Sequence, residues 1–264
     1  MTAPILLTGG TGTLGRRMVP LLREAGLKVR VLSRHAGEPA DGVEYVTGDL
    51  MSGPAGAGVA AAVAGVDTIV HCAGSARGDD VKARTLVRAA TGQVGHLVYI
   101  SVVGADRVTV ASRVDRAMFG YFEGKLAGER IIAESGISWT TLRATQFHDL
   151  IFDTVQRLAR LPVVPVPSGL RFQPVDTGEV AARMVELALG EPAGLVPDLA
   201  GPRVYGLGEL VRGYLKAAHR RRPLLPVRLP GRGARAVRAG ATLPLDGDTG
   251  HRSWEDFLAE RLPR

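Results

Sequence analysis

The stretch Thr8-Gly9-Gly10-Thr11-Gly12-Thr13-Leu14-Gly15 constrains the fold more than any other part of the chain. It follows a short apolar run, Pro4-Ile5-Leu6-Leu7, and precedes Leu14, Met18, Leu21, Leu22 and Ala25 at helical spacing. The pattern is a buried parallel strand, a turn and an amphipathic helix. Glycines at 9, 12 and 15 serve three needs: a tight turn, close backbone approach to a pyrophosphate, and helix packing on the strand. Free N–H groups at the helix start face an anion. The turn should hold a dinucleotide, with Gly9, Thr11, Gly12, Thr13, Leu14 and Gly15 as its contacts. The chain has 34 glycines, so the context of these three carries the weight.

That context is an alternation of strands and helices. Gly26 stops the first helix, inside which Pro20 should produce a kink. Lys28 to Ser33 form a second strand, and Ser33-Arg34 stand where an NAD site usually places an acid for the ribose hydroxyls. A guanidinium there suits a 2′-phosphate, with Ser33 donating to the same group, so NADP(H) is favoured. Strand three, Val43 to Val46, leads to Gly48-Asp49-Leu50, where Asp49 could meet the adenine edge. Gly53 to Gly65 suit a short helix packed tightly on the sheet. Strand four, Val66 to His71, runs into Cys72-Ala73-Gly74, small residues that let a cofactor lie against the backbone. A helix from about Asp80 to Ala90 leads to strand five, His96 to Ile100, whose end presents Ser101. This interval implies an α/β doubly wound parallel sheet with its ligand at the strands' carboxyl ends.

Residues 105 to 116 are polar and read as a loop. A helix then opens at Tyr121-Phe122-Glu123-Gly124-Lys125, placing Tyr121 and Lys125 on one face. Strand six is Ile137 to Arg143, followed by Ala144-Thr145-Gln146-Phe147. Beyond Phe147 the alternation breaks down. The Pro-rich Leu161 to Pro167 can be only an edge strand or an extended segment, and Asp176 or Thr177 can cap a helix running to Leu189. Phe147, Ile151, Phe152, Leu170, Phe172 and Trp254 suggest a greasy pocket in a small C-terminal lobe.

A single cysteine, Cys72, excludes an intramolecular disulfide, and six scattered histidines leave no metal-ligand spacing, so no metal is expected. Cys72 reads as a small hydrophobe. No run approaches the roughly 20 apolar residues of a membrane span, and no signal peptide precedes the first strand, so the chain reads as cytoplasmic. The net charge of +7 is concentrated between Arg203 and Arg238, with ten Lys or Arg against one acid, Glu209. With only Tyr205 and Tyr214 as aromatics and no recognition motif, this stretch reads as a solvated basic face, not a specific nucleic-acid site.

Taken together these residues resemble the atypical short-chain dehydrogenase/reductases, specifically the NmrA-like NAD(P)H-binding proteins. The resemblance covers nearly the whole chain. It rests on the glycine turn through Arg16, Val31-Leu32-Ser33-Arg34, Gly48-Asp49-Leu50, Tyr99 to Gly104, Tyr121 with Lys125, Leu142-Arg143 with Thr145-Gln146-Phe147, and Pro174-Val175-Asp176. It implies an NADP-binding Rossmann domain of about seven parallel strands and a smaller substrate lobe. It also places Ser101, Tyr121 and Lys125 on the positions of the reductase triad and Thr145 facing the nicotinamide. Ala144 departs from the family, which commonly has proline there.

The expectation is therefore a single compact unit, with a dinucleotide-binding core over residues 1–146 and a substrate lobe over 147–264 that partly completes it. Its activity would be NADPH-dependent reduction of a small-molecule carbonyl, as a monomer or homodimer. The competing expectation is a non-catalytic NADP(H)-sensing regulator that binds a partner protein.

Overall fold

The computed structural model describes residues 3–37, 42–52, 58–75 and 77–262. In chain order the elements are β1 (Ile5–Thr8), α1 (Thr13–Glu24), β2 (Val29–Ser33), β3 (Val43–Thr47), α2 (Val59–Val63), β4 (Thr68–His71), α3 (Asp79–Ala90), β5 (His96–Val102), α4 (Arg113–Ala133), β6 (Trp139–Ala144) and α5 (His148–Leu158). There follow β7 (Val164–Pro167), β8 (Arg171–Phe172), α6 (Thr177–Leu189), β9 (Gly194–Leu195), β10 (Asp198–Ala200), β11 (Tyr205–Gly206), α7 (Leu207–Ala217), β12 (Leu224–Val227), α8 (Arg232–Arg238), β13 (Gly247–Thr249) and α9 (Trp254–Arg261). Part of the expected Gly53 to Gly65 helix lies outside the described residues.

The main sheet runs in the order β13-β10-β6-β5-β4-β1-β2-β3, with β9 also on β6, and its described pairings are parallel. Beyond the expected strands, β9, β10 and β13 contribute only two or three residues each. The run from β3 through β1 to β6 reverses direction between β1 and β4, the topological switch point at which doubly wound sheets bind ligands.

By contacts the chain divides into two units, each drawn from three segments: 1–101, 123–142 and 178–196 form the first, and 102–122, 143–177 and 197–264 the second. The boundary expected from the sequence lies at 146/147.

The first unit is built on strands buried on both faces. All seven residues of β5 are buried, as a central strand covered by helices requires. Leu6, Ile69, Leu86, Leu97, Tyr99 and Ile132 form one apolar cluster, and α1 turns Leu14, Gly15, Met18 and Leu22 inward. The helix α1 runs unbroken through Pro20, which lies on its exposed face. Burying such side chains contributes roughly 1.5–3 kcal/mol each.

In the second unit, α5, α7 and α9 pack Ile151, Phe152, Leu210, Tyr214, Trp254 and Phe257 together. Trp254 stacks on Phe257 at 5.5 Å between centroids, and Phe152 meets the edges of Tyr214 and Phe257. The greasy pocket expected from Ile151, Phe152 and Trp254 is therefore a packed core, closed by aromatic residues the sequence reading had not grouped with them. Leu170 belongs to a smaller cluster with Val108, Phe119, Ala234 and Val237. The Pro-rich segment forms β7, paired in parallel with β12 in a two-stranded sheet, consistent with the confinement of proline to edges.

Candidate cofactor and active site

The glycine turn is closed by Gly12 N–H donating to the Gly9 carbonyl at 2.9 Å. Gly9 has φ +74°, and a Cβ there would lie 2.7 Å from the backbone of Cys72 and Ala73. The first and fourth strands thus bring their carboxyl ends into backbone contact, which only glycine at position 9 permits. A Cβ at Gly12 would press on the Gly9 carbonyl at 3.2 Å. The helix α1 has no side-chain cap and no acid in its first turn, so its leading N–H groups keep their affinity for an anion. This cradle, uncapped and set at the switch point, fits a dinucleotide pyrophosphate.

The other expected cofactor contacts are distributed as follows. Ser33 is half-buried and its hydroxyl accepts from His35 N–H at 3.3 Å, while Arg34 is exposed. The Asp49 carboxylate accepts from Met51 N–H at 2.9 Å, so its local task is to hold the turn after β3. The side chain of Leu50 is in the core. Burial pushes the Cys72 thiol up to about 12, and its Sγ lies 3.7 Å from Met18 Sδ, as a small hydrophobe would. In the second unit, Thr145 is buried and donates its hydroxyl hydrogen to the Gln173 carbonyl at 2.6 Å. There too, Thr177 donates to Asp149 at 2.7 Å and Arg252 donates to Asp176 at 3.0 Å.

Of the triad candidates, Ser101 and Lys125 belong to the first unit and Tyr121 to the second. The α4 helix carries Tyr121 one turn before Lys125. Ser101 is 4% exposed, and its hydroxyl oxygen has no hydrogen-bond partner among the described residues. An unsatisfied buried hydroxyl costs about 1–3 kcal/mol, a cost that a ligand oxygen would relieve. Lys125 is 2% exposed, and its Nζ donates to the carbonyl of Ile100, the residue before Ser101, at 2.9 Å. The structure thus brings the lysine to the backbone that carries the serine. Tyr121 is 37% exposed, its ring edge-on to Phe122.

Around Lys125 lies a polar network that the sequence reading missed. Asp79, 2% exposed, sets Oδ2 at 3.2 Å from Lys125 Nζ, and its Oδ1 is 3.2 Å from Lys82 Nζ. The Lys125 ammonium also lies 4.8 Å from the centre of the Tyr99 ring. His71 stacks on Tyr99 and pairs its Nδ1 with the Thr8 hydroxyl at 2.7 Å. Burial, reinforced by the Lys125 charge, pushes His71 down to about 3, so its ring is neutral near pH 7. The available signal was the scarcity of lysine: the chain has four, and two of them converge on one acid.

A doubly wound parallel sheet with an uncapped glycine cradle at its switch point defines a protein of the nicotinamide-dinucleotide-binding class. A family model described as NAD(P)H-binding matches residues 9–189, and the chain belongs to that family, among the NmrA-like atypical short-chain dehydrogenase/reductases. It is 27% identical over 233 residues to an uncharacterized protein of Mycobacterium tuberculosis, a match covering 86% of this chain and 24% of the other. The chain therefore spans about a quarter of that relative's length. It is also 27% identical to an NAD(P)H azoreductase of Xenophilus azovorans, over 82% of this chain and 74% of the other. Among solved structures, the NADPH complex of a quinone oxidoreductase from Escherichia coli superposes with a TM-score of 0.76 at 18% identity, covering 97% of this chain and 99% of the other. A nucleoside-diphosphate-sugar epimerase from Staphylococcus aureus gives 0.75 at 19%, with the same coverage. The structural likenesses show the fold, and the family model shows NAD(P)H binding. No helix among the described residues is long and apolar enough to cross a membrane.

Proposed function

We propose that this protein is an NADPH-dependent reductase of small organic carbonyl compounds, with Ser101, Tyr121 and Lys125 as its catalytic residues. The observation that carries the reading is the buried ammonium of Lys125, bonded to the carbonyl of Ile100, while the hydroxyl of the next residue, Ser101, has no hydrogen-bond partner among the described residues. The azoreductase relative supports a reductase in general terms.

Gly9, Thr11, Gly12, Thr13, Leu14 and Gly15 would hold the pyrophosphate, Ser33 and Arg34 the 2′-phosphate, and Asp49 and Leu50 the adenine side. Cys72, Ala73 and Gly74 would offer close backbone contact, and Thr145 would face the nicotinamide. When bound, the reduced nicotinamide supplies a hydride to the carbonyl carbon. Tyr121 Oη gives a proton to the carbonyl oxygen, so that an alcohol results. The Lys125 ammonium stabilises the phenolate left behind, and Ser101 Oγ–H donates to the same oxygen, holding the substrate in place.

The test is NADPH oxidation against a panel of ketones, aldehydes, quinones and azo dyes, with cofactor binding measured separately. Turnover of a carbonyl compound supports the reading. Tight NADPH binding with no turnover of any acceptor leaves the non-catalytic NADP(H) sensor.

A further inference from the structure

The carboxylate of Asp79 is the least expected group in the first unit. It opens α3 behind Gly78, a place where an acid ordinarily faces solvent and meets the helix dipole. Here it is 2% exposed and shared by two lysines. Oδ1 accepts from Ser75 N–H at 2.9 Å and faces Lys82 Nζ at 3.2 Å, and Lys82 also bonds the Ser75 hydroxyl. These contacts come from one short stretch, 75–82, and hold Oδ1 in place. That leaves Oδ2 3.2 Å from Lys125 Nζ, an ion-pair contact outside hydrogen-bond geometry.

A lysine buried to this degree without a counter-charge sheds its proton, because burial penalises the charged form. Lys125 has three groups that oppose this: the Asp79 carboxylate, the Ile100 carbonyl and the face of the Tyr99 ring. Of these three, the first carries a full negative charge. Three other titratable groups nearby do not help. Lys82 on α3 is a like charge, His71 on β4 is neutral, and the Cys72 thiol is protonated. On α4 itself, Tyr121 and Glu129 stand one turn to either side. Gly74 lies close by, since a Cβ there would lie 3.2 Å from Lys125 Nζ. As a contribution to stability alone, a buried ion pair of this kind is often matched by apolar packing.

We propose that Asp79 is the positioning residue for Lys125, holding its ammonium charged and fixed against the Ile100 carbonyl beside Ser101. The proposal rests on the triad reading for its catalytic meaning, but its physical content concerns the protein without substrate. Lys125 must be a cation to act on the nicotinamide ribose and on the tyrosine phenol, and Asp79 extends the pH range over which it is one.

The test uses the scarcity of lysine. With only four in the chain, the side-chain ¹⁵Nζ signals of lysine-labelled protein can be followed through a pH titration, Lys125 being assigned by its absence in Lys125→Met. In Asp79→Asn the titration midpoint of Lys125 should fall by at least one pH unit. NADPH affinity in that variant should weaken about tenfold more between pH 7 and 9 than it does in the parent protein. The double variant Asp79→Asn with Lys125→Arg should lose this extra pH dependence, because a guanidinium does not deprotonate in that range. An unchanged Lys125 midpoint in Asp79→Asn overturns the proposal. Should Asp79→Asn fail to fold, Lys82→Met gives the complementary result. With the carboxylate no longer shared, the Lys125 midpoint should rise, and a fall overturns the proposal. Full turnover in Tyr121→Phe would instead remove the triad reading while leaving the Lys125 titration to stand.

Discussion

Gly15 is packed so closely on Gly10 that a Cβ at position 15 would lie 2.5 Å from the Gly10 Cα and overlap the Gly9 carbonyl oxygen. Backbone cannot yield there as a flexible side chain would. Gly15→Ala should therefore open the turn and lower stability by roughly 1–3 kcal/mol, the usual cost of overpacking. NADPH affinity should fall at least tenfold in the same variant. Denaturant titration and calorimetry on one preparation measure both, and intact affinity would mean that the turn does not hold the cofactor.

Arg34 is exposed at the end of β2, where a 2′-phosphate would compensate its charge. Losing one charge-assisted contact costs roughly 1.5–3 kcal/mol. Arg34→Ala should thus weaken NADPH binding about tenfold or more and leave NADH binding little changed. Equal losses for the two cofactors would remove the phosphate assignment.

Tyr121→Phe keeps the ring and deletes the proton donor. Turnover of any accepted carbonyl substrate should fall by about 10²- to 10⁴-fold, with cofactor affinity nearly constant. Lys125→Met should lower both, since it removes a cofactor contact as well as the charge beside the phenol. Steady-state kinetics with separate cofactor titrations distinguishes the two patterns.

Acid should destabilise the protein through its buried histidines. His148 is fully buried beside Trp254 and Phe257, and burial pushes it down to about 4 against the upward pull of Asp176, Asp149 and the Pro174 carbonyl. Neither ring nitrogen makes a well-aligned hydrogen bond among the described residues. Because the folded-state value lies below the ordinary 6.5, the unfolded chain binds the proton first. Stability is then complete above about pH 6.5 and is lost as pH falls toward 4. The loss from this residue between pH 7 and 5 is roughly 2 kcal/mol. His148→Phe should retain that amount at pH 5, measured by urea unfolding at both pH values. A parallel loss in variant and parent would place the acid sensitivity elsewhere, His71 being the next candidate.

The basic stretch from Arg203 to Arg238 should attract duplex DNA only weakly and without sequence preference, and the attraction should vanish as salt rises because its contacts are counterion-releasing. A sequence-selective mobility shift at physiological salt would favour a regulatory role over a metabolic one.

The strand, turn and helix at the amino end were legible because their signals are local: glycine spacing, an apolar run and helical periodicity all fall within residues 4–25. The start of α4 at Arg113, within the stretch expected as loop, does carry a local signal. Ser112 and Asp115 bond each other as a helix cap, with Asp115 N–H donating to the Ser112 hydroxyl at 3.0 Å, and serine followed three residues later by an acid is the sequence mark of such a start. Asp79 was not legible, since nothing in residues 75–82 reports that Lys125 comes to the same carboxylate. Nor were the short strands β10 and β13, which are fixed by partners and not by any alternation of their own. Thr145 was readable as a site candidate from its motif, but its bond to Gln173 depends on a partner far along the chain.

The interleaving of segments between the two units sets an order of events on the ribosome. Every segment of the first unit has been made once residue 196 emerges. The second unit has to wait: Phe152 and Val155 need Tyr214, Trp254 and Leu258, and Phe119 needs Ala234 and Val237. The Asp115 carboxylate, made early, accepts from Gly233 N–H at 3.1 Å only after that residue is added. Between the synthesis of α5 and that of α9, then, an apolar stretch of α5 is without its final partners, the circumstance in which nascent chains aggregate or engage chaperones. Nascent chains stalled at the point where residue 196 has just cleared the ribosome should accordingly show a protease-resistant first unit and a cleavable α5.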